Sequence, residues 1–295
     1  MKASLITPLI CLLSATPVSA SIIIEGDYLR TAVSQNGTLG YGGKASPGIQ
    51  YDTTGQRQFG DKDYLLPGRP WEVFSIYSTQ SSLLVNSNEG PTDLAGTLND
   101  VSIGSPYDMA VDWQGQNAFF SLSTLTFLDD DSEQINFITT ITAKTPLTEL
   151  QFLRAIDPDP DASTINSHQT MNQRGDNQYS ANDWVVSSGK DSKLSLGLYS
   201  SDDLFHNTGV TFPWSVNPDD YLKGSQSEEG DSVIGLAFDI GTLNTNESVS
   251  FTYSYRLESD RPIAPPSTDV PLPATAGLFL IGLVSFVRRW SQRNS

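Results

Sequence analysis

The sequence predicts an all-β protein: a large antiparallel β-sandwich, with an N-terminal signal peptide before it and a C-terminal single transmembrane helix after it. Three observations predict this. Apolar and polar residues alternate with period two along several runs. Clusters of Gly, Asn, Asp and Ser interrupt those runs at short intervals. Both ends carry apolar segments unlike the acidic body between them.

At the N-terminus, Met1 and Lys2 give a short positive start and residues 3–13 are mostly apolar. Small residues follow and end Val18-Ser19-Ala20, an A-x-A-like cleavage site. Residues 1–20 therefore read as a secretory signal. The chain's one cysteine, Cys11, lies inside that segment, which leaves the mature chain without disulfide, thiolate nucleophile or Cys-ligated metal.

Between the ends, roughly 250 residues suffice for one large core or two small ones. The clearest strand runs through Val249, Phe251, Tyr253, Tyr255 and Leu257, alternating with polar neighbours. Ile135, Phe137, Thr139 and Ile141 alternate likewise, as do Leu194, Leu196 and Leu198. Residues 71–77, 118–128, 183–186 and 233–240 add β-branched and aromatic runs. Residues 35–37, 86–90 and 187–189 carry turn chemistry, and Asp129-Asp130-Asp131 reads as a hairpin tip. Roughly a dozen strands at this spacing make a sandwich rather than an α/β enzyme. Interior boundaries at Gly90-Pro91 or near Lys144-Thr145-Pro146 are weakly marked. Residues 261–269, rich in proline, read as an extended spacer.

The charge balance narrows the partners. Acidic residues number 34 against 17 basic ones, a formal net charge of −17. Lys2, Arg288, Arg289 and Arg293 sit in the terminal segments, so the body is more acidic still. Such a surface repels nucleic acid and anionic membranes and attracts divalent cations. The segment best suited to a cation is 153–166, where Asp157, Asp159 and Asp161 occupy alternate positions with Asn166 beyond. Prolines 158 and 160 hold this backbone out of a helix. Carboxylates converging from a tight loop suit Ca²⁺, which takes six to eight oxygens. His168 and His206 lack metal-site spacing and read as polar loop residues. There is no G-x-S-x-G and no P-loop, and among the many carboxylates nothing singles out a glycosidase pair. The expectation is a non-enzymatic protein. Residues 212–224, with Trp113, Trp184 and Trp214, supply aromatic faces of the kind that stack on sugars.

The C-terminus has three parts. Val270, Pro271, Leu272, Pro273 and Ala274 form a proline-bracketed motif. An uncharged run over residues 274–287 follows. Counted from Pro271 it would make about 25 Å of helix at about 1.5 Å per residue. That is at the short limit for a hydrocarbon core of about 30 Å. Arg288 and Arg289 then end it, with the polarity of a cytoplasmic flank. This order of motif, helix and arginines resembles the PEP-CTERM sorting signal in its VPLPA variant. Leu272 stands where the commoner form has Glu. Residues 272–276 are also similar to an LPxTG sortase signal with Ala in the last place. There, however, a few residues usually separate motif and helix. The PEP-CTERM resemblance implies an exosortase-type processing enzyme as partner and a Gram-negative exported carrier. It also implies a link to exopolysaccharide and biofilm. Segments such as FLRAIDPDPD and HNTGVTFPWS look like parts of β-sandwich proteins that carry such tails.

The expected organisation is thus a signal peptide (1–20), a sandwich (21–260), a linker (261–269) and a sorting signal (270–295). The expected function is an exported structural or adhesive protein. It would be anchored transiently in the inner membrane through residues 274–287, then released to the cell surface or extracellular matrix. The alternative is a carbohydrate-binding or carbohydrate-active sandwich exported the same way.

Overall fold

A computed structural model describes residues 21–40, 47–60, 63–65, 71–227 and 229–258. Every strand pairing among them is antiparallel. A small sheet joins β1 (Ile22–Glu25), β2 (Leu29–Val33) and β3 (Ile49–Tyr51). A five-stranded sheet runs in the order β14 (His206–Thr211), β16 (Val233–Leu243), β10 (Leu147–Ile156), β4 (Glu72–Tyr77) and β5 (Leu84–Ser87). A nine-stranded sheet starts from β15 (Glu229–Gly230), β11 (Thr170–Arg174), β12 (Trp184–Gly189) and β13 (Ser195–Tyr199). It continues through β17 (Ser248–Glu258), β9 (Gln134–Ala143), β8 (Phe120–Leu128), β7 (Met109–Gln116) and β6 (Gly96–Asp100).

The alternating runs become strands for the expected reason. In β17 the side chains of Phe251, Tyr253, Tyr255 and Leu257 are buried, while the residues between them lie on the other face. From the five-stranded sheet, Phe152 and Phe238 meet Phe251 at ring distances of 5.2 and 4.4 Å. Such contacts join the two large sheets through one apolar layer. Asp129-Asp130-Asp131 is a hairpin tip between β8 and β9. Residues 187–189, expected as a turn, instead end β12, and the chain turns just after them.

At the centre of this layer sits a buried ion pair. Glu72 and Arg154 face each other across β4 and β10, and both are fully shielded from solvent. Glu72 also accepts hydrogen bonds from the Tyr255 hydroxyl at 2.7 Å and the Leu39 N–H at 2.7 Å. Arg154 donates to the Gly37 carbonyl at 3.2 Å and lies 4.8 Å from the centre of the Phe137 ring. Burial opposes both charges; the attraction of Glu72 is what keeps the guanidinium charged.

The second face of the five-stranded sheet is covered by residues 212–224, which contain the one-turn helix α2 (Pro218–Leu222). Its N-cap, Asn217, accepts from the Asp219 N–H at 3.2 Å. Tyr221 reaches down onto the sheet, where Gly235 makes room for it: a Cβ there would lie 2.4 Å from the Tyr221 ring. A second short helix, α1 (Ala162–Ile165), follows β10.

Two expectations change here. Neither Gly90-Pro91 nor the stretch 144–146 divides the described residues, which belong to a single compact unit ending at Asp260. The transmembrane helix expected over residues 274–287 is not supported. No helix among the described residues is long and apolar enough to cross a membrane. The motif residues Val270, Pro271, Leu272, Pro273 and Ala274, with Arg288 and Arg289, lie outside the described residues, as does the signal peptide. The membrane partner and the transient inner-membrane anchoring, which rested on that helix, are withdrawn with it.

Removing one partner of the Glu72–Arg154 pair strands a buried charge. Glu72→Ala is expected to cost about 3–5 kcal/mol in urea denaturation. Replacing both residues with methionine is expected to cost much less, since no unpaired charge remains.

Candidate functional site

The residues with possible chemistry gather at one end of the five-stranded sheet. The register of β4, β10 and β16 sets Ile156 opposite Glu72 and opposite Ile234. One residue past Ile156 the chain reaches Asp157, whose N–H donates to the Trp71 carbonyl at 2.9 Å. Asp231 lies just before β16, and Asp159 is held by its N–H on the Tyr64 carbonyl at 2.8 Å. Asp157, Asp159 and Asp231 thereby offer carboxylate oxygens within 4.8 Å of one another.

Asp157 and Asp159 are each only 3% exposed. Burial, then the charges of Asp159 and Asp231, push the Asp157 carboxyl up to about 9. Burial also raises Asp159, to about 6, although His168 donates to its Oδ2 over 2.9 Å and pulls it back. Oδ1 of Asp159 and Oδ1 of Asp231 are buried without a hydrogen-bond partner among the described residues. Orphaned carboxylate oxygens are costly in a protein interior. A metal ion would satisfy them and replace the proton on Asp157. The donor set, all carboxylate oxygen, fits a hard cation. The three aspartates are thus able to hold a metal ion.

The expected trio was Asp157, Asp159 and Asp161, and the structure corrects its third member. The chain turns after Asp159, whose carbonyl accepts from the Ala162 N–H at 3.0 Å. Asp161 consequently points elsewhere. Its two oxygens accept from the N–H groups of Asp191 and Ser192 at 3.0 and 3.1 Å and tie down the turn after β12. Asp231 replaces it. Sequence reasoning missed Asp231 because it lies some 70 residues away and only strand pairing brings it in. His168, expected as an ordinary loop residue, is the polar partner of the cluster. His206 lies apart from it, on β14, between the Leu204 carbonyl and Asp183.

Two indoles flank the acidic trio. Trp71 and Trp214 pack with ring centres 5.3 Å apart, and the Trp214 Nε1–H donates to the Asp231 carbonyl at 3.4 Å. Trp214 also lines an open cleft of about 590 Å³ together with Phe212, Ser215, Asp220, Gln226 and Ser227. Phe212 is 71% exposed there. Ser215 donates to Asp220 at 2.6 Å. The cleft thus pairs apolar ring faces with hydroxyl, amide and carboxylate groups. The other two tryptophans expected on a binding surface are core residues. Trp113 is 0% exposed and packs edge-on against Phe74 at 5.4 Å. Trp184 is 1% exposed and covers Gly197, where a Cβ would fall 2.0 Å from its ring.

No protein-family model matches the chain, and no curated protein matches it in sequence. Solved structures do match its fold. A bacterial glucoamylase complexed with acarbose aligns at 11% identity and a TM-score of 0.52, over 82% of this chain and 33% of that one. A galactose mutarotase related enzyme from Lactobacillus acidophilus aligns at 7% identity and a TM-score of 0.47, over 83% of this chain and 100% of that one. An α-mannosidase from Enterococcus faecalis aligns at 11% identity and 0.43, over 82% and 29%. The chain spans about a third of the glucoamylase it matches. The likeness to the glucoamylase, at 11% identity, shows the fold alone.

Two further expectations give way. The structural or adhesive role gives way to the carbohydrate-related alternative, because the fold and the cleft offer a candidate site, whereas the C-terminal signal it rested on lies outside the described residues. The non-enzymatic reading is also set aside, because a clustered acidic trio, with Asp157 and Asp159 raised by burial, beside an aromatic cleft is a candidate binding or reactive centre.

The raised Asp157 value has a consequence for stability. The folded chain holds this proton up to about pH 9, whereas an ordinary aspartate releases it near 3.8. Between these values the folded state binds more protons than the unfolded one, so stability declines as pH rises through that window. Thermal melts of the metal-free protein are expected to show this decline, and Asp157→Asn to flatten it. An equal slope in wild type and variant would contradict the assignment.

Proposed function

We propose that this protein is a carbohydrate-binding or carbohydrate-processing β-sandwich, with residues 210–227 as its sugar-contacting cleft. The observation that carries the reading is the cleft's composition. Exposed Phe212 and half-buried Trp214 stand beside Ser215, Asp220, Gln226 and Ser227. Aromatic faces complement the apolar faces of pyranose rings, and the polar groups serve the ring hydroxyls. Asp157 and Asp159 are too deeply buried to touch a glycosidic oxygen in this conformation, so contact with sugar falls to the cleft. The solved glucoamylase that shares the fold carries acarbose, which supports saccharides as the first ligand class to try. For the trio we propose Ca²⁺, since a donor set made only of carboxylate oxygens suits a hard cation.

Titration with acarbose and a panel of soluble polysaccharides, followed by tryptophan fluorescence, tests the reading. At least one saccharide is expected to shift the emission. Phe212→Ala, at an exposed position, is expected to weaken that binding about tenfold, the value of one lost ring contact. Reducing-sugar release in the same mixtures would identify processing. No spectral response and no release across the panel would refute the proposal.

A further inference from the structure

The acidic trio and the cleft share parts. Trp71 and Trp214 form the contact between them, and each is attached to an aspartate of the trio through the backbone. The Trp71 carbonyl accepts from the Asp157 N–H at 2.9 Å. The Asp231 carbonyl accepts from the Trp214 Nε1–H at 3.4 Å. The rings then pack against each other at 5.3 Å. Asp157 follows β10 and Asp231 precedes β16, and among the described residues no ionic link joins their side chains. Without a cation, two carboxyl oxygens at this place, Oδ1 of Asp159 and Oδ1 of Asp231, are buried and unpartnered. The charges of Asp159 and Asp231 repel, which favours separation of the segments whose backbones hold the indoles. A cation draws the same segments together.

We propose that a divalent cation bound by Asp157, Asp159 and Asp231 sets the Trp71–Trp214 pair and thereby controls the affinity of the cleft for its ligand. Positioning passes from cation to carboxylate, from carboxylate to backbone, and from backbone to the indoles. Trp214 is the shared element, because it touches Asp231 on one side and lines the cleft on the other. By reciprocity, a ligand seated on Trp214 tightens cation binding by the same factor that the cation tightens the ligand. Control of ligand affinity rests on the reading of the cleft as a saccharide site; cation binding and the response of the indole pair do not.

Terbium is the probe, because it replaces calcium at oxygen sites and emits when a nearby indole is excited. The full chain is stripped with chelator, then titrated with Tb³⁺ under tryptophan excitation. Bright sensitised emission is expected in the wild type, displaced by Ca²⁺. Asp159→Asn, close in size to the native residue, is expected to lose it while keeping the wild-type circular dichroism of the sheets. In Trp214→Phe the ion is expected to bind, as shown by direct terbium excitation, with weakened sensitisation. The exciton signal of the Trp71–Trp214 pair is expected to change when Ca²⁺ is added to the wild type and to stay constant in Asp159→Asn. For whichever saccharide the panel identifies, chelation is expected to weaken binding about tenfold, an ordinary size for coupling between sites. Unchanged terbium emission in Asp159→Asn would overturn the site. An ion that binds without altering the indole signal would overturn the coupling and leave the saccharide reading intact. An indole signal that follows Ca²⁺, with no saccharide bound in either state, would uphold the cation–indole link and overturn its extension to carbohydrate.

Discussion

The Glu72–Arg154 pair sets the frame on which the rest of the structure is arranged. Two charges lie buried at the centre of an apolar layer, and each needs the other in a particular place. A slip of one residue turns every buried side chain to the other face, and for a strand bearing a buried charge it also strands that charge without its partner. The pair therefore specifies how β4 lies against β10. It also ties in the opposite sheet through Tyr255 and the connection between β2 and β3 through Leu39. Its role is specificity of register more than net stabilisation, since removing two charges from water offsets much of their attraction.

The site follows from that register. Once Ile156 stands opposite Glu72, the next residue along β10, Asp157, meets the backbone of Trp71. The pairing of β10 with β16 then brings in Asp231 from the other side. The sheet's outer face has to be covered as well. The 212–224 segment does this with Tyr221 and Trp214, and its exposed edge becomes the cleft. One stretch of chain thus closes the second core and presents aromatic rings to solvent.

Much of the sandwich was legible in the sequence. Strands such as β9 and β17 have one face in the core, and strict alternation records that burial directly. The prolines at 158 and 160 pointed to a non-helical stretch, and residues 157–161 are one and bring two carboxylates together, although α1 follows at once over Ala162–Ile165. What could not be read was anything that depends on distant pairing. Asp231, the indole pair and the partner of Arg154 are joined to their neighbours only by the order of strands in the sheet. Asp161 was misplaced because alternation along an extended chain implies one shared side, and the turn after Asp159 breaks that premise. Trp113 and Trp184 show a further limit. A large aromatic suits a core as well as a sugar platform, and composition alone does not choose between them. The C-terminal motif was the most specific pattern in the chain, yet it lies outside the described residues and carries no part of the structural account.

The central claim is that one end of the five-stranded sheet is a cation site built from Asp157, Asp159 and Asp231. Crystals soaked in terbium and measured at its absorption edge test this most directly. The account predicts an anomalous peak enclosed by those three carboxylates, with Asp161 still bound to the turn after β12. A map without that peak, or with the ion seated beside Asp161, would contradict it.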